Sequence, residues 1–569
     1  MALHACTEND STHTHHTVNK QRKNSAPHPL QGKKTGAASA QAAKGGHQSA
    51  PRSFGRMKPG MAQWVTYGLG FLAVFAFFTL VYGDVIERAE QSMYISTAPE
   101  TMQYLLSQPH GQLFYAARWV MLLCKWAPLG AAFLALVMTL TARAFDYAFR
   151  IPRALRGIGF AVPVAEMAWM LSRGTNLYYK NEPSLIVLIP LVALAACAVL
   201  AALVALVKRC TKAAAPAAPA PSAALSVRPW GALLALLMVG GTAATALKVN
   251  ENVILTARFP NLADRQDWDT IISEAQKAKR PTRAVAAYYA IALEETDQLL
   301  NHLFDIPYDF PKLQLDRYDG SEEYGLFVMD CNFHAGLLNP AYRAAMDHVV
   351  MNGPRVFAYK RMALCALLNG ETALCRKYLA LIDRMPFEHD FVERYSAMLD
   401  NPKLIDSDAE LSHVRSLYPK ESKFEQNYQQ PSFLGYNVGL AQGSDRTLLT
   451  SAAACLYSKD MNAFLVRAQI MHQKGMPFPT CMQEAIAVAA LKMPQALEAF
   501  PEVGKFVPDE VRAFLIDAKP YVEDREALRQ NLKERWLGTY MYYYYTENND
   551  PSQTRKDSDA TPGSKAGVN

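Results

Sequence analysis

The stretch Trp64–Tyr82, WVTYGLGFLAVFAFFTLVY, runs for 19 residues without a charge. At about 1.5 Å of rise per residue, a helix of that length matches the hydrocarbon thickness of a bilayer. It predicts a membrane span. No small-residue cleavage pattern follows it closely, so the reading is an uncleaved anchor rather than a removed signal peptide. Working outward, apolar stretches at Trp119–Ala142, Gly157–Leu171, Leu185–Val207 and Pro229–Leu247 predict further crossings. The Gly157–Leu171 stretch is short and carries Glu166.

The mean hydropathy of -0.06 hides this because the chain has two unlike halves. Residues 1–248 hold 23 Lys and Arg against 9 Asp and Glu, whereas residues 249–569 hold 35 against 43. A basic, apolar half joined to an acidic, amphipathic half excludes a simple cytosolic enzyme and a nucleic-acid binder with a continuous basic face.

Loop charge supplies an independent test of topology, because short cytoplasmic loops collect Lys and Arg. With the N-terminal tail inside, the inner segments hold Lys44, Arg52, Arg56 and Lys58, then Arg143, Arg150, Arg153 and Arg156, then Lys208, Arg209, Lys212 and Arg228. The outer loops hold fewer, Arg88, Arg118, Arg173 and Lys180. Five crossings place everything after Leu247 on the far side of the membrane. Four would return the domain to the cytoplasm and split the basic loops between two sides.

The resulting organisation is a disordered basic tail (1–58), a transmembrane domain (59–248), an extracytoplasmic helical-repeat domain (249–547) and a disordered C-terminal segment (548–569). The tail is polar and lacks periodicity. Its histidines His4, His13, His15, His16, His28 and His47 have no fixed geometry with which to hold a metal. Translation from Met57 or Met61 would leave the tail out altogether. The Ala-Pro-rich linker 212–227 predicts an extended cytoplasmic spacer.

Past residue 248 the pattern becomes that of amphipathic helices separated by Gly, Pro and Asn. Trp268, Ile271, Ile272 and Ala275, then Val285, Ala286, Tyr289 and Leu293, outline a helical hairpin broken at Arg280-Pro281. Tyr359, Met362, Ala363 and Ala366 precede the turn Asn369-Gly370, and Leu374, Tyr378, Leu379 and Ile382 lead on to Pro386. That arrangement looks like tetratricopeptide packing; a generic helical array is the alternative. The expected fold is all-α, a multi-pass transmembrane domain followed by an α-solenoid-like soluble domain. A last helix from about Arg525 to Tyr545 ends in Tyr540 and Tyr542–Tyr545, read as rings packed on the preceding helices.

A first span ending in Tyr82-Gly83-Asp84, followed by Asp267-Trp268-Asp269-Thr270-Ile271-Ile272, Ala290-Ile291-Ala292-Leu293 and Lys377-Tyr378-Leu379, carries a resemblance. From Met57 to Tyr545 the chain resembles a family of multi-pass membrane proteins of Bacteroides-type bacteria whose C-terminal half is similar to tetratricopeptide helices. The resemblance implies the architecture and an envelope location; with the loop charges, the expected place is the bacterial inner membrane with the large domain periplasmic. It implies no reaction.

No Walker loop, dinucleotide fingerprint, HExxH or GxSxG motif stands in its required context, so the chain reads as a non-enzyme without a cofactor. The one catalytic candidate is Asp84, just outside the first span. An acidic residue there resembles the first outer loop of lipid-linked-sugar glycosyltransferases, where it acts as a base or holds a metal. Within the spans, Lys125 and Glu166 are costly in hydrocarbon and form a candidate ion pair. Cys365 and Cys375 flank the Asn369-Gly370 turn at similar distances and form a candidate disulfide; Cys331 and His334, at i, i+3, are too few for a metal site. The expected function is an envelope scaffold whose helical half binds a peptide or protein partner, with the bilayer as its other partner and no nucleic acid. A membrane-embedded glycosyltransferase-like enzyme or a transporter is the alternative.

Overall fold

The computed structural model describes residues 59–180, 182–212, 230–308, 325–418 and 444–547. The expected N-terminal tail with its histidines, the linker from residue 213 onward and the C-terminal segment lie outside the described residues. Among the described residues the structure is helical throughout, with no strand.

Among the described residues four helices are long and apolar enough to cross a membrane: Gly60–Val81, Ala127–Ala148, Leu185–Cys210 and Trp230–Val249. The first ends in a single π-helical turn, Phe77–Val81, which buries Phe77 and Phe78. The expected span Trp119–Ala142 is displaced along the chain. Its first residues finish a separate helix, Gly111–Met121, and a 3-10 turn, Leu122–Lys125. The long helix begins at Ala127, where Pro128 occupies the first turn and its missing N–H is harmless.

The Gly157–Leu171 stretch is too short to count by length. It consists of a 3-10 turn, Ile158–Phe160, and a 13-residue helix, Ala161–Arg173. Its ends are nonetheless fixed at opposite ends of the long helices. At the start, the Asp146 carboxylate accepts from the backbone N–H groups of Gly157 (2.8 Å) and Gly159 (2.9 Å) and from the Tyr67 hydroxyl (2.9 Å). An anion here satisfies donors that the first helical turn leaves without partners. The Gly157 backbone, at φ +119°, lies directly against Gly231, the second residue of Trp230–Val249. At the other end, the Asn250 amide donates to the Leu171 carbonyl (2.8 Å) just past the end of that helix. The segment thus begins beside the first residues of Trp230–Val249 and finishes beside its last.

The first and last long helices point the same way. The helix leaving the first, Gly83–Gln91, packs against the helix leaving the last, Glu251–Asp264. At the opposite end, Arg143 lies over the Trp64 ring and Lys208 over the Tyr147 ring, close in the chain to Arg150, Arg153, Arg156 and Arg209.

Beyond residue 250, neighbouring helices pair as the periodicity predicts. Trp268–Lys277 pairs with Arg283–Glu295, and Val356–Leu368 pairs with Thr372–Asp383 through Gly370 at φ +74°. The chain also closes on itself, which an open solenoid does not do. Val328–His334 packs on Ala409–Leu417, and Leu299–His302 meets both Asp445–Tyr457 and Thr480–Ala490. The expected last helix is split at Gly538 (φ +95°) into Arg525–Trp536 and Tyr540–Thr546. Tyr540 and Tyr543 are buried against Phe304, and Tyr543 also meets Tyr308 and Tyr457. Val356 and Met385 of this half belong to the apolar core of the first half, so the two halves share packing.

Candidate functional site

Helical periodicity explains how charge comes to stand inside this fold. Ala358, Met362 and Cys365 mark the inner face of Val356–Leu368, and Arg361 falls on the same face. Buried there, its guanidinium needs carboxylates. Asp330 of Val328–His334 supplies one at 2.8 Å, and Glu410 of Ala409–Leu417 stands at 3.8 Å. Against burial, which works to lower it, Asp330 and Glu410 hold the Arg361 pKa above its ordinary value. Against burial of its own, Asp330 is held below the usual carboxylate range by Arg361 and Arg88 and by the Tyr288 hydroxyl.

This pair forms one wall of a cavity of about 360 Å³. The other walls come from the helix that leaves the first long helix (Arg88, Gln91), the end of the helix that leaves the last (Pro260, Asp264), and His389–Asp400 (Asp390, Phe391, Arg394, Tyr395). Lys360, Phe357, Met329 and Leu364 complete it. Four cations face four carboxylates across three aromatic rings. Asp264 is open to the cavity yet surrounded by protein, and burial raises its pKa against the pull of Arg88, Lys360 and Arg361. Burial likewise raises Glu410. Arg88 lies over the Phe357 ring at 4.7 Å and donates to Gln91. Arg394 pairs with Asp408, which caps Ala409–Leu417 through the Leu411 N–H. One Arg361 nitrogen, Nη1, is buried without a hydrogen-bond partner among the described residues. The volume lies at the low end of the range of small-molecule pockets, and the lining carries more charge than such pockets usually do.

The residues singled out from sequence lie elsewhere. Asp84 stands 3.7 Å from Arg258 and its carbonyl accepts from Asn261, so it is tied to the helix Glu251–Asp264 and does not line the cavity. Glu87 pairs with Arg265. The expected pairing of Lys125 with Glu166 is not formed. Lys125 lies beyond the end of the long helix, where its ammonium reaches Glu388 Oε1 at 2.8 Å and the Phe387 carbonyl. Lys360 holds the other oxygen of Glu388 at 2.6 Å. Glu166 is buried in the short segment, and neither carboxylate oxygen has a hydrogen-bond partner among the described residues. Glu90, near Lys125, is pushed up to about 8 by burial.

The expected Cys365–Cys375 disulfide is also absent: both are buried free thiols. They stand in different surroundings. Burial pushes Cys365 up to about 12 beside Arg361 and Asp330, and Cys375 up to about 11 beside Arg376. Among the described residues no group of His, Cys, Asp and Glu has the arrangement of a metal site. His334 Nδ1 is instead held by Glu295 at 2.6 Å, with Trp268 edge-on to the ring.

Arg88, Asp264, Lys360, Arg361 and Arg394 were not found by motif. A charge in phase with buried apolar positions is the signal by which sequence could have found Arg361, and no comparable signal marks the others. A family model described as "Family of unknown function (DUF6057)" matches residues 60–213 and 176–547. No curated protein and no solved structure gives a significant match.

Proposed function

The chain belongs to that family of unknown function, and we propose that it is a membrane-anchored binding protein whose junction cavity takes a short peptide segment. The observation that carries the reading is the cavity itself: about 360 Å³, walled by helices that continue directly from the first and last long helices. Arg88, Lys360 and Arg394 suit a carboxylate, Asp264 and Glu410 an ammonium group, and Phe357, Phe391 and Tyr395 an apolar side chain. The protein is a multi-pass one of a bacterial inner membrane, with its helical half on the periplasmic side.

Five crossings underlie that placement. The helix Ala161–Arg173, extended by its 3-10 turn, crosses packed against Ala127–Ala148 and Trp230–Val249, with the face of Ala161, Ala165, Ala168 and Ser172 turned outward. The cluster of Arg143, Arg150, Arg153, Arg156, Lys208 and Arg209 at one end marks the cytoplasmic face. The paired helices of the other half form a compact repeat-like array that presents the cavity. Its role is scaffolding or capture rather than catalysis, in keeping with Asp84 being engaged by Arg258.

Native mass spectrometry of protein released from its own membranes in mild detergent, followed by thermal-shift titration with mixed tripeptides, tests the reading. A ligand present at a hundred times its Kd stabilises the folded form by about 2.7 kcal/mol. The expectation is a shift with peptides bearing free termini that is reduced in Arg394→Gln. No shift with any peptide, and no co-purifying ligand, overturns it.

A further inference from the structure

Phe387 stands in the turn between Thr372–Asp383 and His389–Asp400, at φ +66°. A bulky aromatic in the left-handed region is strained, and such a conformation persists only when its surroundings hold it. Here both flanks are held. Met385 is buried in the apolar core of the membrane half, and Glu388, 5% exposed, is gripped by Lys125 and Lys360. The ring between them buries little: Phe387 is 57% exposed and meets Trp126 edge-on at 5.1 Å.

Trp126 is the residue immediately before Ala127–Ala148 and is itself 49% exposed. From it an exposed apolar face runs down that helix through Leu129, Leu136 and Leu140. The Phe387 ring is therefore the upward continuation of a lipid-facing stripe, contributed by a residue 261 positions later in the chain than Trp126.

We propose that Phe387 and Trp126 form a joint interfacial anchor that inserts the Pro386–Glu388 turn of the helical half into the headgroup region of the bilayer. The occupant of this surface is lipid, because the face is continuous with that of a membrane span. Aromatic rings favour that zone, where one side is apolar and the other wet. The inference rests on the long helices being in lipid, as proposed above. The helical half is then seated on the membrane at a fixed tilt, with Lys125 and Lys360 clamping the turn from behind.

Spin labels test this in the full chain reconstituted into phosphatidylcholine–phosphatidylglycerol nanodiscs, with Cys6 and Cys210 replaced by serine. Labels at Phe387→Cys, Leu136→Cys and Phe506→Cys are compared for collision with oxygen, which partitions into lipid, and with a water-soluble nickel chelate. Phe506 is the aqueous reference, 81% exposed on the helical half. The expected result is a nickel accessibility at 387 several-fold below that at 506, with oxygen accessibility between those at 506 and 136. Equal nickel accessibility at 387 and 506, with 136 lipid-exposed, overturns the anchor alone. Nickel access at 136 overturns the membrane reading and the anchor with it.

Discussion

Replacing Gly231 with alanine probes the contact that starts the short segment. A Cβ built at Gly231 lies 1.4 Å from the Arg156 carbonyl oxygen and 2.6 Å from its carbon. Ordinary van der Waals contact needs about 3.4 Å or more, so the two backbones must separate by about 2 Å. The obstacle is main chain, which no rotamer change relieves. Overpacking of this kind costs about 1–3 kcal/mol, and backbone contact places it at the upper end. The displacement also pulls Gly157 and Gly159 away from Asp146, leaving buried donors unpaired at about 1–3 kcal/mol more. Gly240 lies nine positions further along the same helix with nothing within 4 Å of its Cβ position. Alanine there is neutral, or up to about 1 kcal/mol stabilising through helix propensity. Thermal stability followed by fluorescence-detected size exclusion in one detergent compares the two variants. The expected order is Gly240→Ala at or above wild type and Gly231→Ala well below it. Equal stability of the two variants refutes the docking of the segment on the last long helix.

Other consequences follow from buried charge. Glu388→Ala leaves Lys125 and Lys360 facing one another without their carboxylate, and because both lysines keep contact with water the cost is about 1–3 kcal/mol, read as a fall in melting temperature. His348, buried near Arg355 and Arg88, is lowered from 6.5 to about 3, chiefly by burial. A depressed base stabilises the fold fully above its unfolded pKa, and that stability is lost as pH falls below 6.5 towards 3, at about 1.4 kcal/mol per unit. Denaturant titrations between pH 7 and pH 4 should show this slope reduced by one proton in His348→Asn; an unchanged slope contradicts it. His334 behaves differently despite being lowered to about 4, because its partner Glu295 is raised to about 7. The folded pair holds one proton between those values, as the unfolded pair does between 4.5 and 6.5, so the pair adds little to the wild-type slope, and His334→Asn, which leaves Glu295 alone, lowers the slope by about one proton between pH 4.5 and 6.5.

Much of the membrane half was legible because hydrophobic length is a local property. The long helices at 60–81, 185–210 and 230–249 lie close to where composition puts them. The error at 119–142 has a local cause too: WVMLLCKW reads as span, but Pro128 restarts the helix and leaves Trp119–Trp126 outside the long helix. The hairpins around Pro281 and Gly370 followed from three- and four-residue spacing and turn chemistry. What periodicity could not reach is contact across the chain. Lys125 and Glu166 share adjacent apolar runs, yet Lys125 finds Glu388, 263 positions away. The cavity is assembled from six helices between Arg88 and Glu410, and no window of sequence contains it.

Five crossings require the short segment to pass through the membrane, placing residues 153 and 175 on opposite faces. Single cysteines at Arg153 and Thr175, with Cys6 and Cys210 replaced, can be labelled with a membrane-impermeant maleimide in intact cells and in inverted vesicles. Labelling of 175 in cells and of 153 only in inverted vesicles is the expected result. Labelling of both positions from the same face would contradict it.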